Sequence, residues 1–120
     1  MRVLVVSQGR HPESRIEPRF GKARFFFVAN TVAGWSAVHP NTHDPDSGEF
    51  SGIRTAMNAA ELGVDAVIVD HIGPHALETL QARRIVVYVG ATGTVREAVE
   101  QFKASQLACA IRPNVAAHWT

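Results

Sequence analysis

The segment Asp70–His75 (DHIGPH) constrains the fold more than any other part of the chain, because it joins an apolar run to a helical pattern. The run is Ala66–Val69, and the helical pattern begins at Ala76. Glycine allows a tight turn, and proline at a first helical position costs no hydrogen bond. The segment therefore predicts a buried strand whose carboxyl end meets a helix amino terminus, the place where open α/β sheets usually bind ligands.

Apolar runs and helical spacings predict eight elements in the order β-β-β-α-β-α-β-α. The predicted strands are Arg2–Ser7, Ala23–Ala29, Trp35–His39, Ala66–Val69 and Ile85–Val89. The predicted helices are Gly52–Leu62, the segment after Pro74, and the segment that begins at a capping box of Thr94 and Glu97. The second and third strands are expected to form a hairpin, and Gly63 is expected to end the first helix.

The spacing of Ile53, Ala56, Met57 and Ala60 predicts the buried face of the first helix. The whole order predicts a three-layer α/β/α domain with a five-stranded mixed sheet, in which the second strand is the antiparallel one. We expect this domain to span residues 1–104. Residues 105–120 are expected to form a C-terminal tail that is loosely held, or held by a partner.

Length and composition exclude several classes of protein. A chain of 120 residues makes one domain with a real core, and its 12 basic and 11 acidic residues are interspersed, which argues against nucleic-acid binding. No segment is apolar for long enough to be a signal peptide or a membrane span. The single cysteine, Cys109, excludes an intrachain disulfide, is expected to be a buried or inert tail residue, and fits a cytoplasmic protein.

Three connections are expected to meet at one edge of the sheet: the long loop Gln8–Gly21, the turn Asp70–Pro74 and the turn Gly90–Gly93. Each follows a parallel strand at its carboxyl end, and helices begin after two of them. Backbone N–H groups at helix starts favour negative charge. We therefore predict an anion-attracting site in which the backbones of Gly73 and Gly90 take part.

Two histidines flank the Gly-Pro turn, and neutral imidazole is a common metal ligand. His71 and His75 are the predicted metal ligands, with Asp70 holding a ring N–H or simply capping the turn. The alternative is that one or both histidines are ordinary loop residues. His11 and His43 lie in polar loops and are expected to be solvated.

The first loop contributes three further candidates. Arg19 could clamp an anion through two donors, and its alternative is a surface salt bridge. Phe20 is expected to plug the core and anchor the loop, with Gly21 as the flexible joint behind it.

The segments Ile16–Ala23 (IEPRFGKA), Gly63–Ile68, Ile72–Pro74 and Gly93–Ala98 (GTVREA) resemble the nitrogenase iron–molybdenum cofactor carrier and accessory-factor family, which includes small stand-alone members. The resemblance covers about residues 1–104. It implies a ribonuclease-H-like α/β/α fold and the binding or delivery of a metallocluster or its precursor. This chain has arginine at position 19, where carriers of the nitrogenase cofactor tend to have histidine, and His71 where many stand-alone members have glycine.

The leading hypothesis is a small cytoplasmic protein that binds or delivers an iron–sulfur or iron–molybdenum cluster precursor. Its partners would be a cluster donor or acceptor protein and, in a homodimer, a second copy. No enzyme is predicted, since the phosphate-binding loop, the nucleophile elbow and the zinc-protease motif are all missing from the sequence. One alternative is a module that senses an anion or small metabolite through a partner. Another is a protein-interaction domain that uses Trp35, Trp119 and the tail.

Overall fold

A computed structural model describes residues 1–34, 36–42 and 51–114, with Ser36 described by its backbone alone. Trp35, His43 and Trp119, which the sequence singled out, lie outside these residues. The strands are β1 (Arg2–Ser7), β2 (Phe25–Asn30), β3 (Ser36–Pro40), β4 (Ala66–Ile68), β5 (Val86–Val89) and β6 (Ala108–Cys109). The helices are α1 (Ser51–Ala60), α2 (Pro74–Ala82) and α3 (Val95–Lys103), and a short 3₁₀ helix spans Phe20–Lys22.

The described strands form one mixed sheet in the order β3-β2-β1-β4-β5-β6. The three central strands, β1, β4 and β5, run parallel to one another. The hairpin of β2 and β3 is confirmed, and β2 runs antiparallel to both of its neighbours. The carboxyl ends of the three parallel strands therefore share one edge, as the sequence predicted.

Side chains that alternate along the strands supply a core on each face of the sheet. On one face, Leu4 and Val6 of β1 pack with α1 and α2. On the other, Val3 and Val5 pack with α3. The result is three layers, helices over sheet over helix. The ribonuclease-H-like motif that the resemblance implies stays a prediction.

The prediction of five strands is wrong, because residues expected to belong to the tail form a sixth. Ala108 and Cys109 pair antiparallel with Val89 and Tyr88 of β5. A two-residue strand is too short to show a period of two, so its partner strand defines it and the sequence pattern does not. Cys109 is exposed rather than buried.

The prediction of the buried face of α1 is wrong, since the observed face is shifted by about one residue from the predicted one. The helix buries Gly52, Thr55, Ala56 and Ala59, whereas the side chain of Met57 is 47% exposed. Small residues on the buried face let α1 lie close to its neighbours. Each helix among the described residues is too short to cross a bilayer.

The predicted turn chemistry is confirmed at two places. Gly63 closes the turn that follows α1, three residues after Ala60, with φ +65°, a left-handed conformation that glycine adopts at little cost. At the start of α3, Thr94 and Glu97 form the predicted capping box.

Candidate functional site

The long loop after β1 is joined to the turn after β4 by backbone hydrogen bonds. The N–H of His71 donates to the carbonyl of Pro18 at 3.0 Å, and the N–H of Phe20 donates to the carbonyl of His71 at 3.3 Å. These bonds form a short parallel bridge between Arg19 and His71. The loop that carries Arg19 is therefore fixed to the backbone of the Asp70–Gly73 turn.

The turn after β5 joins the same assembly. The N–H of Gly90 donates to the carbonyl of Asp70 at 3.3 Å, and the N–H of Ala91 donates to the carbonyl of Val69 at 3.4 Å. Gly90 has φ +92°, and a Cβ placed there would meet no atom within 4 Å. Glycine at this position therefore leaves open space beside the turn. We call residues 18–21, 70–73 and 90–93 together the site turns.

The start of α2 lies within the site turns. Gly73 is its N-cap residue, with φ −85° and ψ 172°, and Pro74 occupies the first helical position. Gly73 has no side chain that could cap this helix start. Since glycine has no side-chain acceptor and proline has no N–H, the next N–H groups of the first turn belong to His75 and Ala76. They lie at the positive end of the helix dipole and favour an anion.

The start of α3, by contrast, is closed by the protein itself. Thr94 Oγ1 accepts from the N–H of Glu97 at 3.2 Å, and Glu97 Oε1 accepts from the N–H of Thr94 at 3.1 Å. The N–H groups of Val95 and Arg96 each donate at 2.9 Å to carbonyls of the first loop, those of Ser14 and Pro12. The sequence predicted that two helix starts serve the site; that of α3 is capped by the side chain of its own N-cap residue, whereas the N-cap residue of α2 is a glycine.

His71 lies in the turn with its ring held against its neighbour. Its Nε2 is 3.3 Å from Oδ2 of Asp70, and its Nδ1 is buried. The imidazole is 37% exposed and the Asp70 side chain 25%. The contact fits the expectation that Asp70 orients the ring. Direct coordination of a metal through Nε2 would require the ring to leave Asp70, whereas a polar contact from the ring edge would not.

His75 lies on a different surface. It is exposed on α2 and lines an open groove of about 400 Å³ between α1 and α2, together with Ile53, Glu78, Thr79, Ala82 and Arg83. His71 is not among the residues that line this groove. Within the described ranges, no group of three or more His, Cys, Asp or Glu side chains is placed to hold a metal ion. The predicted metal role of the two histidines stays a prediction.

The remaining loop candidates anchor the loop to the domain. Phe20 is fully buried, and the carbonyl of Gly21 accepts a hydrogen bond from the buried Ser51 hydroxyl at the start of α1. Gly21 is thus held within the 3₁₀ helix. Arg19 is half-buried and lies one residue before Phe20.

The Glu17 carboxylate of this loop lies near three cationic side chains, Arg19 in the loop and Lys22 and Arg24 just after it. Burial raises the pKa of Glu17 above 4.5, although a hydrogen bond from Gln8 and the charges of Arg19, Arg24 and Lys22 oppose the rise. The carboxylate is therefore less favourable in the folded protein than in water. This end of the sheet therefore carries both signs of charge, the cations near Glu17 and the carboxylates of Glu17 and Asp70.

Sequence reasoning missed Asn114, which lies in the predicted tail. Its Oδ1 accepts from the N–H of Ile72 at 2.7 Å, and its Nδ2 donates to the carbonyl of Asp70 at 3.0 Å. Its own N–H donates to the carbonyl of Ile72 at 3.2 Å. One asparagine after Pro113 carries no periodic signal, so nothing in the sequence pattern pointed to it.

Comparison with known proteins places these features in a family. A family model described as dinitrogenase iron–molybdenum cofactor matches residues 1–105. The apo form of the orange protein from Desulfovibrio gigas is 30% identical and has a TM-score of 0.89, over 95% of this chain and 96% of that one. A protein from Thermotoga described as a candidate NifB protein is 29% identical, with a TM-score of 0.78 over 95% of this chain and 98% of its own.

A relative whose function is not known also matches most of the chain. This uncharacterized protein from Methanocaldococcus jannaschii is 27% identical over 96 residues, which are 78% of this chain and 81% of its own. The family model extends over most of the domain and includes all three site turns. The chain belongs to the dinitrogenase iron–molybdenum cofactor family.

Proposed function

We propose that this protein binds a metal–sulfur cluster precursor, of the iron–sulfur or iron–molybdenum type, at the site turns and delivers it to an acceptor protein. The observation that carries the proposal is the start of α2, which has a glycine N-cap and lies where two other turns converge. Metal–sulfur clusters are commonly anionic, so this electrostatic environment suits them. Family membership supports a role in metallocluster handling.

The donor set restricts how such a cargo would be held. Protein-bound iron–sulfur clusters usually need about four thiolates, whereas this chain has one cysteine, exposed on β6. A cluster assembled on thiolates of a single chain therefore does not fit. A preassembled anion that brings its own sulfide ligands does fit, because it requires only positive charge and hydrogen-bond donors from the protein.

Each candidate residue then has a defined part. Arg19 supplies a guanidinium that can hold two acceptor atoms of an anion. The Gly73 N-cap places the first N–H groups of α2 towards the cargo, and Gly90 leaves room for it. His71 contributes a polar contact or, if its ring turns away from Asp70, a metal ligand. Phe20 and Gly21 hold the loop that carries Arg19 in place.

A small number of direct ligands to the cargo agrees with delivery rather than catalysis. A cargo that is to be handed on must dissociate, so few direct ligands are an advantage. We propose a binding protein, not an enzyme, that acts with a cluster donor or acceptor. Because thiols and sulfide survive best where the surroundings are reducing, we place this exchange in the cytoplasm. A homodimer that brings two copies of Cys109 together is the further possibility for a thiolate-held cluster.

The test is anaerobic titration of the purified protein with tetrathiomolybdate, followed by its sulfide-to-metal absorption, with molybdate as a competing oxyanion. We expect saturable binding that molybdate does not displace at equal concentration. Arg19→Ala should weaken binding about tenfold, the loss expected for a charge-assisted hydrogen bond. Arg54→Ala, which removes an exposed arginine on α1, is the matched control and should have no effect.

The histidines are tested as a matched pair in the same assay. His71→Ala should weaken binding and His75→Ala should not, because His75 lines another groove. His71→Gln distinguishes the two roles of His71, since glutamine restores a polar contact but is a poor ligand for a soft metal. Equal losses in the His71→Ala and His75→Ala variants would contradict the site described here.

The alternative, an anion-sensing module, is one outcome of this titration. It would be supported if molybdate or phosphate bound as tightly as tetrathiomolybdate and if both were lost in Arg19→Ala. A parallel incubation with ferrous iron and sulfide tests the iron–sulfur arm. If neither probe is retained by the unmodified protein, the proposed function is wrong.

A further inference from the structure

We propose that Asn114 is a positioning residue that clamps the site turn and so sets how tightly the cargo is held. This proposal rests on the proposed function for its cargo arm. Its starting point is that one side chain pairs with two backbone groups of the turn, the N–H of Ile72 and the carbonyl of Asp70. Together with the Asn114 N–H on the carbonyl of Ile72, three hydrogen bonds fix a stretch of three residues.

The segment that carries Asn114 is itself anchored to the domain. Pairing of β6 with β5 holds Ala108 and Cys109, and the N–H of Ala110 donates to the carbonyl of Val87 at 2.7 Å. The Ala110 side chain is buried in the core beneath α1 and α2. Pro113 restricts the backbone immediately before Asn114. Asn114 therefore reaches the turn from a fixed support.

The clamp acts at the point where the site turns are coupled. The carbonyl of Asp70 accepts both Asn114 Nδ2 and the N–H of Gly90, so the same atom joins the tail, the α2 turn and the turn after β5. The backbone that Asn114 holds also carries the His71 ring and leads directly into the Gly73 N-cap. Loosening it would therefore displace the groups proposed to contact the cargo.

This arrangement differs from that of a residue that only stabilises the fold as a whole. The Asn114 side chain is exposed at the surface, where its loss removes little buried area, and its partners are all backbone atoms of one turn. A local clamp should alter protection of the turn without altering protection of the core. This difference makes the two roles separable by experiment.

The experiment compares Asn114→Ala and Asn114→Asp in the full chain, with Arg112→Ala as the matched control in the same exposed segment. Amide hydrogen exchange is measured by NMR at Ile72 and in β1. We expect Asn114→Ala to speed exchange at Ile72 about tenfold or more and to weaken tetrathiomolybdate binding about tenfold, as loss of a hydrogen-bonded clamp predicts. Exchange in β1 should not change, and Arg112→Ala should resemble the unmodified protein.

Asn114→Asp keeps a side-chain acceptor for the Ile72 N–H but loses the donor to the Asp70 carbonyl. The Ile72 amide should therefore stay protected from exchange, while cargo binding should still weaken. If Asn114→Ala leaves exchange at Ile72 unchanged, or speeds exchange equally throughout the domain, the clamp is wrong. If exchange changes locally but cargo affinity does not, the clamp exists without setting affinity and the proposal is overturned in that respect. Failure of the unmodified protein to bind cargo would instead overturn the proposed function, and the exchange arm would still decide the clamp.

Discussion

Two helices, α2 and α3, begin at the same edge of the sheet. They differ in whether the N-cap residue supplies a side chain that caps the first turn. At α3, a capping box and two loop carbonyls use the N–H groups of residues 94–97. At α2, a glycine N-cap and a proline at the first helical position provide no side-chain cap. A glycine N-cap typically costs only a few tenths of a kcal/mol relative to a capping side chain, so α2 leaves out the side-chain acceptor at little cost in stability.

The difference separates a structural helix start from one suited to a ligand. The box at α3 fastens the first loop to the domain, since Val95 and Arg96 donate to carbonyls of that loop. The start of α2 is instead surrounded by backbone that other segments hold in place, including the Arg19–His71 bridge. The start of α2 is therefore positioned by backbone contacts, with glycine in place of a capping side chain at its N-cap.

The largest expected effect compares two glycines in one turn. Gly93→Ala should lower the free energy of unfolding by about 2–3 kcal/mol, because φ is +85° and the new Cβ would lie 2.6 Å from Glu97 Oε1 in the capping box. Gly90→Ala has the same backbone strain but open space for the Cβ, so we expect about 1–2 kcal/mol. Urea denaturation measures both losses.

The two variants should have the opposite order in cargo affinity, with the larger loss in Gly90→Ala. Gly90→Ala places a methyl group in the open space beside the site turns and should weaken tetrathiomolybdate binding more than Gly93→Ala, whose new Cβ meets the capping box of α3 instead. Equal stability losses in the two variants, or stronger loss of binding in Gly93→Ala, would contradict the division between the two helix starts.

A smaller effect is expected when α2 is given the cap that it lacks. Gly73→Asp supplies a carboxylate acceptor for the first-turn N–H groups and should lower cargo affinity about tenfold through competition and like-charge repulsion. Gly73→Ala adds a Cβ without an acceptor and is the control for steric effects. Titration of both variants against the unmodified protein makes the comparison. A similar loss in both would mean that space, not charge, matters at this position.

The smallest effect concerns Glu17, a half-buried carboxylate close to Arg19, Arg24 and Lys22. Because burial raises the pKa of Glu17 above 4.5, its ionised form destabilises the folded protein at neutral pH, and this penalty disappears as pH falls through the raised pKa towards 4.5. Glu17→Gln should therefore raise the melting temperature by a few degrees at pH 7. The gain should vanish below pH 4.5. A gain that grows as pH falls would have the wrong sign.

The sequence predicted the central elements of the fold well because their signals are local. The apolar run of β1, the Gly-Pro turn before α2 and the Thr94–Glu97 box each encode their structure within a few residues. The convergence of the site turns also followed, since parallel strands end at one edge. The face of α1 was misjudged because alanine and glycine carry little hydrophobic signal, so the bulkier Met57 dominated the pattern.

The features that the sequence did not predict depend on contacts between residues that are far apart in the sequence. Strand β6 exists only through β5, and Asn114 meets a turn about forty positions earlier in the sequence, at Ile72. The separation of His71 from the groove of His75 is likewise set by packing of α1 on α2, not by their spacing of four residues. A motif indicated the candidate site, but the residues that surround it could be identified only from the tertiary structure.

The most direct test of the account is an NMR titration of this 13.0 kDa chain with tetrathiomolybdate under anaerobic conditions, followed through backbone amide shifts. The account predicts saturable changes at the amides of Gly73, His75 and Ala76 and along the Arg19 loop, with residues 95–97 unaffected. Changes centred on the start of α3, or on the groove formed by Ile53 and Arg83, would contradict it.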